Sequence, residues 1–181
     1  TALEGLRLGD NQIRRLPDST GNLTALKSLL TGKNQLCKLP DSIGNLIALK
    51  FLESSHNQIR FLPDSIGNLT ALEELWLGDN QIRRLPDSIG DLTALTELIL
   101  YHNQIRRLPD SMGSLTALTM LNLAGNWIGE FPYILGELPN LRLMLLNENL
   151  ISVIDLSMLS YDSFPNLRSP NFLSIPTGRE A

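Results

Sequence analysis

Residues 72–94 read Leu-Glu-Glu-Leu-Trp-Leu-Gly-Asp-Asn-Gln-Ile-Arg-Arg-Leu-Pro-Asp-Ser-Ile-Gly-Asp-Leu-Thr-Ala, and variants of this 23-residue unit fill most of the chain. An asparagine recurs at the ninth place of each unit without a slip in spacing: Asn11, Asn34, Asn57, Asn80, Asn103, Asn126 and Asn149. A fixed period of this length is typical of a solenoid, in which each repeat is one coil stacked on the previous one. The sequence therefore predicts an elongated repeat protein that works through its surfaces.

The first half of the unit predicts a short strand. Leu75 and Leu77 alternate with Trp76, which is the period-2 pattern of a strand with one buried face. Stacked copies would form a parallel sheet with strands ~4.8 Å apart. Asn80 falls where the chain leaves the strand, and there its amide can satisfy backbone groups of adjacent coils that would otherwise stay unpaired.

The second half of the unit predicts a return segment made of short 3₁₀ or helical turns, because it is only about ten residues long. In this segment Pro86 fixes φ, and Gly90 is expected to supply a positive φ. Two copies depart from the strand pattern, because Thr31 and Ser54 replace the third leucine. Weaker packing is expected at those two coils.

The repeat also resembles a known family. Residues 72–80 fit L-x-x-L-x-L-x-x-N, and residues 85–92 continue as Leu-Pro-x-x-Ile-Gly-x-Leu. This unit resembles the leucine-rich repeat family, and its length and second half are similar to the Ras-suppressor and Scribble class. The resemblance implies an α/β leucine-rich-repeat solenoid, with a curved parallel β-sheet on the concave face and short 3₁₀ or irregular convex segments. Members of that class often act as intracellular scaffolds or signalling regulators, some on small GTPases.

The chain is expected to divide into a repeat region and a C-terminal cap with a tail. Residues 1–154 would form about seven leucine-rich repeats, the first of them truncated because residues 1–3 match residues 24–26 in mid-repeat. More solenoid, or a cap, is therefore expected before residue 1. Residues 155–181 are expected to form a degenerate C-terminal cap and tail. Pro170 falls there at a core-leucine position, and proline cannot donate to a sheet ladder.

Composition limits the classes of partner and compartment. The net charge of the 181 residues is −4, which gives no strong attraction towards nucleic acid or an anionic membrane. No apolar run reaches the ~20 residues that span a bilayer. Neither nucleic-acid binding nor membrane insertion is therefore expected. Cys37 is the single cysteine, so no intrachain disulfide can form, which fits a reducing, cytoplasmic compartment.

Strand positions between the leucines predict a partner-binding surface, because they point to the concave side of a solenoid. In repeats three to five this concave face carries apolar and acidic side chains: Phe51, Glu53, Glu73, Glu74, Trp76, Glu97, Ile99 and Tyr101. Exposed Trp and Tyr side chains rimmed by charge are typical of interface hot spots, although single apolar residues also occur on ordinary surfaces. We favour the interface, and its acidic residues indicate a partner with basic side chains.

A second surface, the arginine edge, lies just past the asparagines. It carries eight of the fifteen basic side chains: Arg14, Arg15, Lys38, Arg60, Arg83, Arg84, Arg106 and Arg107. Such an edge could bind phosphate or an acidic peptide. The favoured interpretation is structural, because opposite charges that repeat along one edge neutralise one another and keep a surface soluble. Five aspartates supply those charges: Asp18, Asp41, Asp64, Asp87 and Asp110.

Catalytic chemistry finds little support. His56, Asp79 and His102 would lie on successive rungs ~4.8 Å apart, and zinc would require the outer pair to lean inward to reach ~2.0–2.2 Å. No P-loop, zinc-protease or nucleophile-elbow motif occurs, and Cys37 has no histidine at a suggestive position. No catalytic residue, metal or cofactor is therefore expected.

These observations predict a non-catalytic protein–protein interaction module that docks a protein partner on its concave face, centred on Trp76. The resemblance implies that this module acts in signalling or scaffolding. Two alternatives remain open. The chain could be the recognition domain of a larger enzyme, such as a kinase, ubiquitin ligase or GTPase, whose catalytic part is absent. It could also be a secreted or surface structural repeat protein, which glycans on the sequons at Asn22 and Asn68 would favour.

Overall fold

Seven short strands form one open parallel sheet in the computed structural model, which describes residues 2–153. Each strand has three residues: β1 Gly5–Arg7, β2 Ser28–Leu30, β3 Phe51–Glu53, β4 Glu74–Trp76, β5 Glu97–Ile99, β6 Met120–Asn122 and β7 Leu143–Leu145. The strands pair in sequence order, and each residue lies opposite the residue one repeat later, as Leu52 does against Leu75. Neighbouring coils are therefore neighbouring repeats, which confirms the predicted solenoid. The expected cap and tail over residues 155–181 lie outside the described residues.

Six 3₁₀ helices of five residues form the return segments: η1 Asp18–Asn22, η2 Asp41–Asn45, η3 Asp64–Asn68, η4 Asp87–Asp91, η5 Asp110–Ser114 and η6 Tyr133–Glu137. A proline precedes each helix, and its carbonyl accepts the first 3₁₀ bond, as Pro86 does from Ile89 N–H at 3.0 Å. The helix ends at the next leucine, where Leu92 N–H donates to the Ile89 carbonyl. Short 3₁₀ turns are the form that the length of the segment predicts.

The core fills the space between the sheet and the 3₁₀ helices. In the fourth coil Leu75, Leu77, Ile82, Ile89 and Leu92 are fully buried. They belong to one cluster that runs through the described coils. Full burial of one such side chain contributes about 1.5–3 kcal/mol. Because each coil covers the apolar side chains of the next, the stability of a coil depends on its neighbours.

The repeated asparagines join each coil to the one before it. Asn80 Nδ2 donates to the Ser54 carbonyl of the preceding coil and to the Leu77 carbonyl of its own coil, both at 3.0 Å. Its Oδ1 accepts from Ile59 N–H at 2.9 Å. Equivalent bonds are made by Asn34, Asn57, Asn103, Asn126 and Asn149.

The asparagines at the two ends of this row are less buried than those in the middle. Asn149 is half-buried, whereas the five asparagines from Asn34 to Asn126 are buried. Asn11 is exposed, and within residues 2–153 its side-chain amide bonds only to the Leu8 and Gly9 carbonyls of its own coil. The described residues provide no earlier coil for Asn11 to reach.

The expected conformation of Gly90 is wrong. Positive φ occurs instead at the eighth place of the repeat, in the turn that follows each strand: Asp10, Lys33, His56, Asp79, His102, Gly125 and Glu148. At Gly90 the constraint is contact, because an added Cβ would lie 2.7 Å from the Ser111 Cβ of the next coil. Glycine is needed there so that successive 3₁₀ helices can approach closely.

Thr31 and Ser54 form a polar pair inside the apolar core. Both residues are fully buried, and their hydroxyl oxygens lie 2.6 Å apart. Thr31 also donates to the Glu53 carbonyl at 3.2 Å, which lets its oxygen accept from Ser54. The two departures from leucine thus occur in adjacent coils where each hydroxyl can satisfy the other, and a hydrogen bond takes the place of a leucine contact.

Candidate functional site

Phe51 and Trp76 form the apolar centre of the sheet face that the sequence predicts to be concave. Phe51 begins β3 and Trp76 ends β4, and each is half-buried because it alternates with a buried leucine. The register places Trp76 between Glu53 and Ile99. The two rings meet edge to face, with centroids 4.9 Å apart. Such an aromatic pair contributes about 0.5–1.5 kcal/mol beyond burial, which helps to hold both rings in place.

Trp76 carries an unsatisfied donor. Its indole Nε1 is shielded from solvent, and it has no hydrogen-bond partner among the described residues. Buried tryptophans usually find an acceptor, and a shielded polar group without one costs about 1–3 kcal/mol. The unbound protein therefore holds Trp76 at a free-energy cost that packing must offset.

Two carboxylates lie side by side near the aromatic pair. Glu74 of β4 is directly opposite Glu97 of β5 in the sheet register, and like charges in this arrangement repel. Partial burial raises the pKa of Glu74 above its usual value, and the negative charges of Glu97 and Glu73 raise it further. The concave face therefore concentrates negative charge that a cationic group could offset.

The other two acidic side chains are engaged by neighbours. The Glu53 carboxylate accepts from Gly32 N–H and from Ser55 N–H, both at 2.9 Å. Glu73 lies just before β4 and forms an exposed ion pair with Lys50 at 2.6 Å. The Glu53 carboxylate therefore binds backbone N–H groups at the C-terminal ends of β2 and β3, and Glu73 lies outside the strand that carries Trp76.

Tyr101 follows β5 and lies against the preceding coil. An added Cβ at Gly78 would be 2.7 Å from Cδ1 of the Tyr101 ring, so glycine leaves room for this ring. Partial burial raises the pKa of the Tyr101 hydroxyl, and the nearby Asp79 and Glu53 carboxylates raise it further. A hydrogen bond to the Asp79 carboxylate is a further cause of the raised pKa, so the neutral Tyr101 hydroxyl already has an acceptor.

The structure thus brings Phe51, Glu74, Trp76, Glu97 and Ile99 together on three adjacent strands. Glu53 is on the same face with its carboxylate occupied, whereas Glu73 and Tyr101 lie just outside the strands. The function of all eight residues in partner binding stays a prediction.

Asp79 bridges the two histidines of the chain. Its two carboxylate oxygens face different rings, with Oδ2 at 3.2 Å from His56 Nδ1 and Oδ1 at 3.0 Å from His102 Nδ1. Each histidine therefore contacts Asp79, and the three side chains do not converge on an empty point. Across residues 2–153 no group of three His, Cys, Asp or Glu side chains is arranged to hold a metal ion.

The arginine edge has few charged contacts of its own. Among residues 2–153, no ion pair within 4.0 Å joins its basic side chains to the five aspartates. Its side-chain hydrogen bonds go to glutamines instead, as from Arg14 Nε to Gln35 and from Arg83 Nε to Gln104, both at 3.3 Å. The aspartates can balance this charge only through longer-range interactions.

Sequence reasoning missed a groove of about 740 Å³ at the C-terminal end of the arginine edge. The Arg106 guanidinium carbon lies 5.5 Å from the ring centroid of Trp127, which is 42% exposed. A signal existed in the repeat itself. Trp127 stands where each of the five earlier units has glutamine.

Comparison with known proteins agrees with this architecture. A family model described as a leucine-rich repeat region matches residues 1–80, and a second, described as leucine rich repeat, matches residues 70–128. The chain belongs to the leucine-rich repeat family. Family and fold together define a protein-interaction module of a typically non-catalytic kind. The narrower Ras-suppressor and Scribble class stays a prediction.

Several solved structures share the fold. An internalin from Listeria monocytogenes superposes with a TM-score of 0.77 and 28% identity, covering 91% of this chain and 46% of the internalin. A plant peptide hormone receptor, RGFR1 in complex with RGF2, gives 0.74 and 33% identity, covering 81% of this chain and 25% of the receptor. A leucine-rich repeat protein from Leptospira interrogans gives 0.50 and 28% identity, covering 91% of this chain and 53% of that protein.

The chain therefore spans about half or less of the length of these proteins. No curated protein sequence matches it. Within residues 2–153 no helix has the length and apolar character to cross a membrane.

Proposed function

We propose that the chain binds a protein partner on its concave face, with Phe51 and Trp76 as the anchor. The observation that carries this proposal is the half-exposed, edge-to-face pair of rings on adjacent strands. Interface hot spots are rich in tryptophan and lie at the centre of a patch surrounded by polar residues. The unsatisfied indole donor of Trp76 adds support, because an unexplained buried polar group often has a functional reason.

The partner is proposed to present a basic side chain next to an apolar one. Glu74 and Glu97 repel each other in the unbound sheet, and an Arg or Lys head group between them would offset that repulsion. An apolar side chain of the same segment would cover the Phe51–Trp76 rings. Charge complementarity of this kind acts mainly on the association rate, so binding is expected to weaken with added salt.

A scaffolding or signalling role in the cytoplasm is part of the proposal. The single cysteine, Cys37, is free and exposed, which suits a reducing compartment. The plant peptide hormone receptor among the similar structures was solved in complex with RGF2, which supports a peptide as ligand. Because this chain covers only part of each similar protein, it could also serve as the recognition domain of a larger enzyme, with the same concave face in use.

Selection from a random peptide library tests the proposal. The immobilised chain should select peptides that combine basic and apolar residues. Phe51→Ala and Trp76→Ala should each weaken the binding of those peptides by about thirtyfold or more. This corresponds to the ~2 kcal/mol that defines a hot spot. Glu74→Gln combined with Glu97→Gln should weaken them less, and should reduce the dependence on salt.

Ile47→Ala is the matched control, because Ile47 is 63% exposed and lies outside the strands. Unfolding curves should establish that each variant folds before its affinity is interpreted. Selected peptides that bind Trp76→Ala as tightly as the original chain, but lose affinity for Ile47→Ala, would place the binding surface elsewhere.

A further inference from the structure

The groove at the end of the arginine edge has its own chemistry. Four arginines line it, from two adjacent coils: Arg83, Arg84, Arg106 and Arg107. Two carboxylates, Asp110 and Glu130, lie in the same lining, so the groove keeps an excess of two positive charges. Its volume of about 740 Å³ lies within the range of about 300–1,000 Å³ that ligand sites occupy.

None of the four guanidinium groups forms an ion pair with another described residue. In the described part of the chain no carboxylate lies within 4.0 Å of them. All four arginines are exposed. Each of two neighbouring coils therefore carries two arginines that have no anionic partner at contact distance. An anion shared by several of these arginines would reduce the repulsion between them.

Two of these arginines are held in position by uncharged neighbours. Arg83 Nε donates to Gln104 Oε1 of the next coil at 3.3 Å, which leaves its terminal nitrogens for another acceptor. Arg106 stacks on Trp127, with 5.5 Å from the guanidinium carbon to the ring centroid. Stacked guanidinium groups lose less rotamer entropy when they bind, because the planar fork is already oriented.

We propose that this groove binds a peptide segment carrying a phosphorylated side chain. A phosphate monoester has a charge of about −1.5 to −2 at pH 7 and three acceptor oxygens, which matches the charge excess and the several guanidinium forks. A single carboxylate has half that charge and two oxygens, so it satisfies the groove less well. The exposed Trp127 ring provides an apolar wall for the peptide chain beside the phosphate.

This site is separate from the concave face. The four arginines and Trp127 lie between the strands and the 3₁₀ helices along the chain, in segments 83–84, 106–107 and 127, whereas the Phe51–Trp76 pair lies on the strands. One chain could therefore hold an unmodified segment on the sheet and a phosphorylated segment at the edge. Failure of either site would leave the other proposal standing.

The chain has two tryptophans, so Trp76→Phe leaves Trp127 as the only indole and makes its fluorescence a report on the groove. The probes are degenerate peptide pools with a fixed central phosphoserine or phosphotyrosine, and the same pools without phosphate. Titration with at least one phosphorylated pool should give a saturable change in Trp127 emission in the micromolar range. The matching unphosphorylated pool should bind at least about tenfold more weakly.

Arg84→Gln combined with Arg107→Gln should remove most of this binding, by about tenfold or more. Arg14→Gln combined with Arg15→Gln is the matched control, because these arginines occupy the same repeat positions at the far end of the arginine edge. Equal binding of both pools, no saturable signal, or an unaffected Arg84→Gln/Arg107→Gln variant would overturn the proposal. Tighter binding of single-stranded RNA or of phosphatidylserine vesicles would overturn it as well, in favour of another class of anion.

Discussion

The hydroxyl oxygens of Thr31 and Ser54 lie 2.6 Å apart, across two coils, inside a core that is built mainly from leucine and isoleucine. The pair is asymmetric. The Thr31 hydroxyl donates to the Glu53 carbonyl at 3.2 Å, whereas the Ser54 hydroxyl has Thr31 as its hydrogen-bond partner. Substitution at the two positions should therefore have different effects.

Thr31→Val should destabilise the chain by ~1–3 kcal/mol, because it leaves the buried Ser54 hydroxyl without a partner. Ser54→Ala should cost less, ~0.5–1.5 kcal/mol, because Thr31 keeps the Glu53 carbonyl. The double variant should cost less than the sum of the two, since no orphaned hydroxyl remains. Urea unfolding of the three variants measures this, and strictly additive losses would show that the two hydroxyls do not depend on each other.

Removal of one amide from the middle of the asparagine row should weaken the contact between two coils. Asn80→Ala leaves the buried Ile59 N–H without its acceptor, which costs ~1–3 kcal/mol. It also removes the bond from Asn80 to the Ser54 carbonyl of the preceding coil, which keeps the Asn57 amide as a donor. Asn11→Ala is the control, because the Asn11 side chain is exposed and, among the described residues, its amide bonds only within its own coil. That variant should change stability by about 0.5 kcal/mol or less. Equal losses at the two positions in urea would contradict a role for the amide in joining coils.

Most of the fold could be predicted, because the repeat imposes the same physical requirements on every coil. A period-2 strand, a proline-initiated turn and one recurrent amide leave few ways to stack 23-residue units, and Leu75, Asn80 and Pro86 occupy the expected places. Gly90 shows where this reasoning stops. A glycine in a turn can be required either for a positive φ or for close approach of another segment. Only the position of Ser111 in the next coil shows that close approach is the reason at Gly90.

The candidate site was predictable in its position but not in its contacts. Alternation along the strands places Phe51 and Trp76 on one face, yet nothing in the sequence shows that the Glu53 carboxylate is taken by two backbone N–H groups. Those bonds depend on which amides the sheet leaves unpaired. The Trp127 groove depends likewise on how segments from successive coils lie together.

Close contact between 3₁₀ helices should make Gly90 intolerant of even one methyl group. Gly90→Ala would set its Cβ 2.7 Å from the Ser111 Cβ, so successive coils must separate, and overpacking of this kind costs ~1–3 kcal/mol. Gly129→Ala is the comparison, because nothing lies within 4 Å of an added Cβ there. It should be neutral or stabilising by up to ~1 kcal/mol, through reduced freedom of the unfolded chain. Thermal and urea unfolding would reject the contact explanation if both alanines had the same effect.

Glu74 should make the chain slightly less stable at neutral pH than a neutral side chain would. Partial burial, and then the charges of Glu97 and Glu73, raise its pKa above the ordinary value of 4.5. The folded state therefore binds a proton more readily than the unfolded state does, so stability falls as pH rises through the interval between the two values. Below the ordinary pKa the carboxyl is protonated in both states, and the penalty is absent.

Glu74→Gln should accordingly raise the free energy of unfolding at pH 7 by a few tenths of a kcal/mol, up to ~0.5 because the group is largely solvated. The gain should shrink as pH falls and disappear near pH 4, about where the unfolded carboxyl is protonated. Glu73→Gln makes the same change in charge but breaks the ion pair with Lys50, so it should give no gain at pH 7. If both variants were stabilised equally at every pH, the cause would be net charge rather than the local repulsion between Glu74 and Glu97.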